Sequence, residues 1–257
     1  MLVQCGMDGG AGEAARRAAA WLGAATLESL AELNEAGLSL LAEQAAAVTA
    51  EPRALVREVG ALWRTLDTAA RRRAAGAPYL LLDGGFGDPE RWRNGAAREV
   101  ADPARAGHPA FFTVPATVEV ARLHFTFAWH LARAQGAAAR LLLGMPPGCT
   151  ALIAGCTLRR MHTLAERHPE WLRPRWPSRP ELWRDLLSAA AAGEGRAFER
   201  ARLHGLTMLA AEARAAAGAP PAASAAGRMA AAPARPWLTS PAGTASTAPS
   251  PRSPARP

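Results

Sequence analysis

The chain of 257 residues contains no lysine, since arginine supplies all 30 of its basic side chains. This absence excludes a phosphate-binding loop of the Walker type, which requires a lysine. Codon bias in a GC-rich genome would enrich both arginine and alanine, so the arginine content alone is weak evidence of nucleic-acid binding. The formal net charge of +8 therefore has to be judged by its distribution along the chain.

Cysteine is also scarce, and long apolar runs are missing. Cys5, Cys149 and Cys156 form no disulfide framework, and their odd number is typical of a reducing compartment. Residues 1–8 lack the basic and apolar regions of a signal peptide. No uncharged apolar run approaches the roughly 18 residues that a membrane span needs. We therefore expect a cytoplasmic protein with no membrane partner.

Few residues of the chain suit metal binding or catalysis. The densest set of metal-ligating side chains is Cys149, Cys156, His162 and His168. Its C-x6-C-x5-H-x5-H spacing matches no usual zinc site. The same residues show no sign of the oriented base or oxyanion donors that a nucleophilic cysteine needs. We expect no metal, no cofactor and no enzymatic activity, with an enzyme of unrecognised class as an alternative.

The abundant residues predict helices. About half of the chain is apolar, and much of that half is alanine, which favours helix more than it builds a core. Leucines recur at helical spacing over residues 12–48, and we expect that helix to break near Gly37. A second apolar stripe runs from Pro52 to Arg73, and the short turn between the two predicts an antiparallel hairpin. We expect an all-α fold.

These patterns divide the chain into four parts. Residues 1–76 form the helical hairpin, and residues 77–110 form a connector with a short helix that Asp88 would cap. Residues 111–213 form a core that resembles a helix-turn-helix protein. Residues 214–257 are rich in Ala, Pro and Ser and hold too few large apolar side chains to offset ordering entropy, so we predict a disordered tail. No internal repeat is convincing.

The most specific pattern, within residues 128–187, is a helix, a sharp turn and a short helix. Gly144 suits the left-handed residue that ends a helix, and Pro146 and Pro147 can begin the next one. Thr157 is a candidate N-cap of a third helix. The stripe that this helix would bury consists of Leu158, Met161, Leu164 and Ala165.

Arg159, Arg160 and Arg167 would lie on the opposite face of that third helix. Cations in this position suit a helix that contacts phosphates or enters the major groove. Residues 115–187 also carry 10 arginines against 5 acidic residues, whereas residues 1–114 carry 12 against 14. The basic surplus coincides with the pattern, so DNA is the expected partner, and an ordinary solvated arginine face is the structural alternative.

An arm rich in tryptophan, arginine and proline follows at residues 168–180. Arg173, Arg175 and Arg179 could contact phosphate through bidentate hydrogen bonds, or could stack on tryptophans and fasten the arm to the core. The sequence leaves both interpretations of the arginines open. For the tryptophans we favour the structural role of a staple, and these residues are Trp171, Trp176 and Trp183.

A helix that ends in Leu-Leu-Leu-Gly-Met at residues 141–145 is followed by a Leu-x-x-Met-x-x-Leu-Ala-Glu run that begins at Leu158. With these motifs, residues 128–168 resemble the flagellar transcriptional regulator FlhD family. The resemblance implies a small all-α activator of flagellar promoters, acting as a homodimer or as a hetero-oligomer with a regulator C subunit. The alternative function is that of a non-enzymatic adaptor, whose hairpin at residues 12–75 binds a helix of another protein.

Overall fold

The structure is a computed structural model that describes residues 23–47, 53–97 and 110–218. In this part of the chain it contains ten α-helices and a sheet of two short strands, so the predicted all-α fold is confirmed. In chain order the elements are α1 (Ala24–Ala46), α2 (Ala54–Thr65), α3 (Thr68–Ala75), β1 (Leu82–Asp83), α4 (Pro89–Ala97), α5 (Thr117–Ala134), α6 (Gly136–Leu143), α7 (Pro147–Ala154), α8 (Leu158–Arg167), the 3-10 helix Pro169–Trp171, β2 (Arg173–Pro174), α9 (Pro180–Ala192) and α10 (Gly195–Gly218).

Helix α1 runs through Gly37 without a break, so the predicted interruption there is wrong. A β-carbon at Gly37 would lie 3.0 Å from Cδ1 of Leu82, which is tighter than ordinary contact. The glycine therefore serves the close approach of the connector to α1, and packing offsets its helix-propensity cost of about 1 kcal/mol. The parts of the predicted helix at residues 12–22 and at Val48 lie outside the described residues.

Two helices that the sequence predicts as continuous are each divided. The second predicted helix forms α2 and α3, because Asp67 is extended and its Oδ1 accepts a hydrogen bond from Ala70 N at 2.6 Å. The apolar residues between Val114 and Leu143 also recur at helical spacing and predict one helix, but this stretch forms α5 and α6, separated by Gln135 with a φ of −147°. Each break gives a short helix its own packing direction, which apolar spacing alone does not reveal.

The connector after α3 is extended and buried, and it contributes strand β1. Asn34 of α1 holds it in place, since the buried amide accepts a hydrogen bond from Leu81 N at 2.8 Å and donates to Tyr79 O at 2.9 Å. Asp88 caps α4 as predicted, because its Oδ1 accepts from Arg91 N at 3.0 Å. The sequence predicts that this helix ends near Asp102 and Pro103, which lie outside the described residues.

The order of elements repeats once along the chain. Helices α1 to α3, strand β1 and α4 form a first half, residues 24–97, and the second half, residues 117–192, repeats this order as α5, α7, α8, β2 and α9. Helix α6 lies between the first two elements of the second half. Strand β1 pairs antiparallel with β2, so that Leu82 faces Pro174 and Asp83 faces Arg173. The halves therefore meet reciprocally, as identical subunits of a two-fold dimer do.

The last helix of each half packs against the other half. Helix α4 contacts α7 and α8, whereas α9 contacts α2 and α3. Each of the two carries a tryptophan, Trp92 or Trp183, whose indole N–H donates to a backbone carbonyl just after the strand of its own half, at 3.0 Å and 2.8 Å. The indoles then meet the opposite half edge-on, since ring centroids of Trp92 and Trp171 are 5.3 Å apart and those of Trp183 and Trp63 are 5.4 Å apart.

The repeat extends to single residues, with an offset of about 90 positions. Asp67 and Thr157 each accept a hydrogen bond that caps the following helix, α3 and α8 respectively. The clearest sequence signal is Pro-Glu-x-Trp-Arg, which occurs at residues 89–93 and again at residues 180–184. Our expectation that the chain holds no convincing repeat is therefore wrong. Elsewhere in the halves one apolar residue type replaces another, which keeps the core and removes most identities.

Helix α10 packs on α9 and α6 and continues to Gly218, beyond residue 214, where the predicted tail begins. Residues 219–257 of that predicted tail lie outside the described residues. Buried apolar side chains of both halves form one cluster, which Leu209 of α10 joins. The predicted division into hairpin, connector and core stays a prediction.

Candidate nucleic-acid interface

The predicted turns around α7 form as the sequence indicates. Gly144 follows α6 in the left-handed conformation, with a φ of +67°. Helix α7 begins at Pro147, and residues 155–157 separate it from α8. Oγ1 of Thr157 accepts a hydrogen bond from Arg160 N at 3.2 Å. The predicted glycine stop, proline start and threonine cap are thus confirmed.

Helix α5 supports both short helices, because it packs on α7 and on α8. Three of the four residues predicted to face inward from α8, Met161, Leu164 and Ala165, are buried. The fourth, Leu158, is 40% exposed, so its predicted burial is wrong. It is the first residue of α8, and side chains of a helix lean towards the N-terminus, which carries this one beyond the packed stretch.

The outer face of α8 carries three of the six predicted contact residues, and Arg159, Arg160 and Arg167 are all exposed. Arg159 and Arg160 lie in the first turn, and no carboxylate of the described residues pairs with either of them. The exposed acid of this helix, Glu166, is paired with Arg122 of α5 at 2.8 Å. Because the N-terminal end of a helix also carries partial positive charge, the first turn of α8 is suited to an anion.

Arg175 lies in the interior rather than on the surface. Its side chain is 6% exposed, and its Nε and Nη2 donate to Leu80 O at 2.9 Å and to Leu143 O at 3.0 Å. Asp83 lies 4.0 Å from the guanidinium. Of the two roles that the sequence leaves open for Arg175, the structure shows the fastening of the arm, because the buried guanidinium is bound to two backbone carbonyls of the interior.

The two tryptophans of the arm, and Trp183 just after it in α9, act as staples, as we favoured from the sequence. Trp171 and Trp183 are 8% and 2% exposed. Trp176 is half-buried, and its indole N–H donates to Glu212 of α10 at 2.6 Å. It has a φ of +50°, which is costly for a bulky residue and indicates that these contacts fix the arm's conformation.

The remaining two predicted residues differ in exposure. Arg173 is half-buried in β2, where burial lowers the pKa of its guanidinium, nearby Arg91 lowers it further and Asp83 opposes the shift. Arg179 is exposed and precedes the first residue of α9. The structure thus leaves four of the six arginines fully on the surface, and three of those four share helix α8.

A groove of about 470 Å³ between α1, α5 and α8 had no predicted counterpart. Leu33, Leu123 and Phe127 supply apolar lining, while Glu32 and His162 add polar lining. Leu123 is 45% exposed. The sequence gives little indication of the groove, because its apolar lining residues lie on α1 and α5, about 90 residues apart in the chain, and are brought together only by the fold.

The buried nucleophile and base candidates do not form a reactive pair. Burial raises the pKa of the Cys149 thiol to about 12, and nearby Asp88 adds to the shift, so the thiol stays protonated. Burial lowers the pKa of His124 to about 4, and its Nδ1 donates to Val120 O at 2.9 Å. Within the described residues, no group of three or more His, Cys, Asp or Glu side chains is placed to hold a metal ion.

Comparison with known proteins yields no relative: no family model, curated protein or solved structure matches the chain significantly. The resemblance to the FlhD family therefore stays a hypothesis that rests on the residues between 128 and 168. None of the described helices is long and apolar enough to cross a membrane.

Proposed function

We propose that the protein is a cytoplasmic transcriptional regulator, similar to the flagellar FlhD family, that binds duplex DNA through α7 and α8. The observation that carries the proposal is the pair of exposed arginines, Arg159 and Arg160, in the first turn of α8 directly after a three-residue turn. In helix-turn-helix proteins the N-terminal residues of the second helix reach base edges and phosphates in this way.

The surroundings of this helix favour an anionic partner. Helix α5 packs against the buried face of α8, so the arginines lie on a fixed helix rather than on a loop. Arg167 lies on the same outer face, and Arg179 adds an exposed cation at the start of α9. Arg173 and Arg175 are removed from the proposed contact set, because both are fully or partly buried in the arm.

The test is a fluorescence anisotropy titration of the full chain on promoter duplexes over a range of salt concentrations. The double variant Arg159→Ala/Arg160→Ala should weaken binding about tenfold or more and lower the salt-dependence slope by about 2. Its matched control, Arg64→Ala/Arg72→Ala, removes the same charge from exposed sites of α2 and α3 and should change affinity less than twofold. Absence of binding at low salt, with and without a regulator C subunit, would contradict the proposed function.

The groove between α1, α5 and α8 favours a second candidate, the adaptor. Its occupant would be an amphipathic helix of a partner protein, with apolar residues against Leu123 and Phe127 and a basic residue facing the exposed Glu32. Leu123→Asp should then abolish the pull-down complex with that partner protein, while Arg159→Glu/Arg160→Glu leaves that complex intact. The reverse pattern would exclude the adaptor interpretation.

A further inference from the structure

The repeat provides two copies of the helix pair that we propose to contact DNA. Helices α2 and α3 of the first half correspond to α7 and α8 of the second half, and both second helices begin after a side-chain cap, at Asp67 and at Thr157. Each pair rests on the long first helix of its own half, α1 or α5, and each is covered by the last helix of the opposite half. As a scaffold, the single chain therefore resembles two subunits of a dimer that have exchanged their last helices.

The outer faces of the two copies differ in charge where the contact would be made. At the offset of 90, the positions of Arg159 and Arg160 are taken by Ala69 and Ala70 in the first half, and Ala70 is buried. These two positions of α3 therefore offer no cation to a phosphate.

The arginines that α3 does carry come later in the helix and are engaged within the chain. Arg71 Nη1 donates to Ser39 Oγ at 3.4 Å, and Arg73 Nε donates to Ala190 O at 2.7 Å. Arg72 lies 4.0 Å from Glu35, although 73% of its side chain is exposed. The contacts of Arg71 and Arg72 join α3 to α1 within the first half, and that of Arg73 joins it to α9 of the second half, so all three side chains have partners within the chain.

We propose that the chain is a fused pseudo-dimer that acts as a single copy and binds one half-site of duplex DNA through its second half alone. The proposal rests on the proposed function and adds the stoichiometry and the form of the target. Helix-turn-helix homodimers read two half-sites about one helical turn apart, because two-fold symmetry presents two equivalent basic helices. Here the two-fold scaffold is supplied within one chain, but only one of its two helix pairs is basic at the contact position.

The form of the target is tested by selecting duplexes from a random-sequence library with the full chain and sequencing those retained at moderate salt. We expect one short motif without internal two-fold symmetry. A palindromic motif with half-sites about 10 base pairs apart would overturn the inference while leaving DNA binding in place. Failure to retain any duplex even at low salt would overturn the proposed function, and the half-site proposal with it.

Stoichiometry and variants test the remaining claims. Sedimentation of the free chain should give the 26.9 kDa mass of one copy, and sedimentation with the selected duplex should give one chain per duplex. Arg159→Ala/Arg160→Ala should reduce affinity for that duplex at least tenfold, whereas Arg64→Ala/Arg72→Ala should change it less than twofold. A stable dimer or a complex of two chains per duplex would each overturn the inference without affecting the proposed function. Equal losses in the two variants would overturn the inference and would also contradict the proposed placement of the DNA contact on α8.

Discussion

The guanidinium of Arg175 joins the connector, the end of α6 and the arm, because it donates to Leu80 O and Leu143 O while its own backbone belongs to the arm. We expect Arg175→Leu to lower the free energy of unfolding by about 2–4 kcal/mol, since two buried carbonyls lose their donors. Urea unfolding followed by circular dichroism measures the change. The exposed control, Arg179→Leu, should stay within about 0.5 kcal/mol of the parent, and an equal loss in both would contradict the structural role.

His124 makes the stability of the fold depend on pH. Burial lowers its pKa from 6.5 to about 4, so the unfolded chain takes up a proton near pH 6.5 while the folded chain stays neutral there. Stability should therefore fall as the pH drops from about 6.5 to about 4, by on the order of 3 kcal/mol in total. Asn34, which is also buried, occupies the equivalent position in the first half, 90 residues earlier. His124→Asn introduces the same residue type here and should remove this part of the pH dependence in urea unfolding. A variant that keeps the full slope would show that another group is responsible.

At the scale of elements, the two side-chain caps stabilise equivalent helices with different consequences. Asp67→Ala and Thr157→Ala should each cost about 1 kcal/mol of unfolding free energy, because each leaves a first-turn N–H without its acceptor. Only Thr157→Ala should also weaken the proposed binding to DNA, since it loosens the turn that carries Arg159 and Arg160. Thr157→Ser keeps the hydroxyl and should restore both properties. Equal effects of the two alanine variants on DNA affinity would contradict the assignment of the interface to α8.

Helix α10 packs closely against Tyr79 at Gly205. A β-carbon at Gly205 would lie 2.0 Å from Oη of Tyr79 and within 2.6 Å of its ring, and the ring is buried. We expect Gly205→Ala to destabilise the fold by about 1–3 kcal/mol, because the ring or α10 must shift. Gly195→Ala, on the same helix but with nothing within 4 Å, should be neutral or stabilising by up to about 1 kcal/mol. Thermal unfolding compares the midpoints of the two variants, and equal midpoints would contradict the close contact between Gly205 and Tyr79.

At the scale of the whole molecule, the sequence predicts well those features that depend on neighbouring residues, and it misses those that depend on residues far away in the chain. The left-handed Gly144, the proline start of α7 and the Thr157 cap depend on neighbours in the chain, and all three form as predicted. The burial of Arg175 depends on carbonyls 32 and 95 residues away, which no local pattern reveals. The repeat is hidden for a related reason: packing preserves apolar character rather than identity, so most identities are lost and Pro-Glu-x-Trp-Arg is the clearest run that is kept.

Helix α4 packs against the second half and α9 against the first half, so each half depends on the other for folding. Trp183 is 2% exposed and packs edge-on against Trp63 of the first half. We expect Trp183→Ala to lower the free energy of unfolding by about 3–5 kcal/mol. Unfolding should remain one cooperative transition, because weakening α9 destabilises the second half, to which it belongs, and exposes α2 and α3 of the first half at the same time. Trp92→Ala should act in the same way from the opposite side. Circular dichroism and tryptophan fluorescence should give coincident transitions, and separate steps in either variant would show that the halves unfold independently.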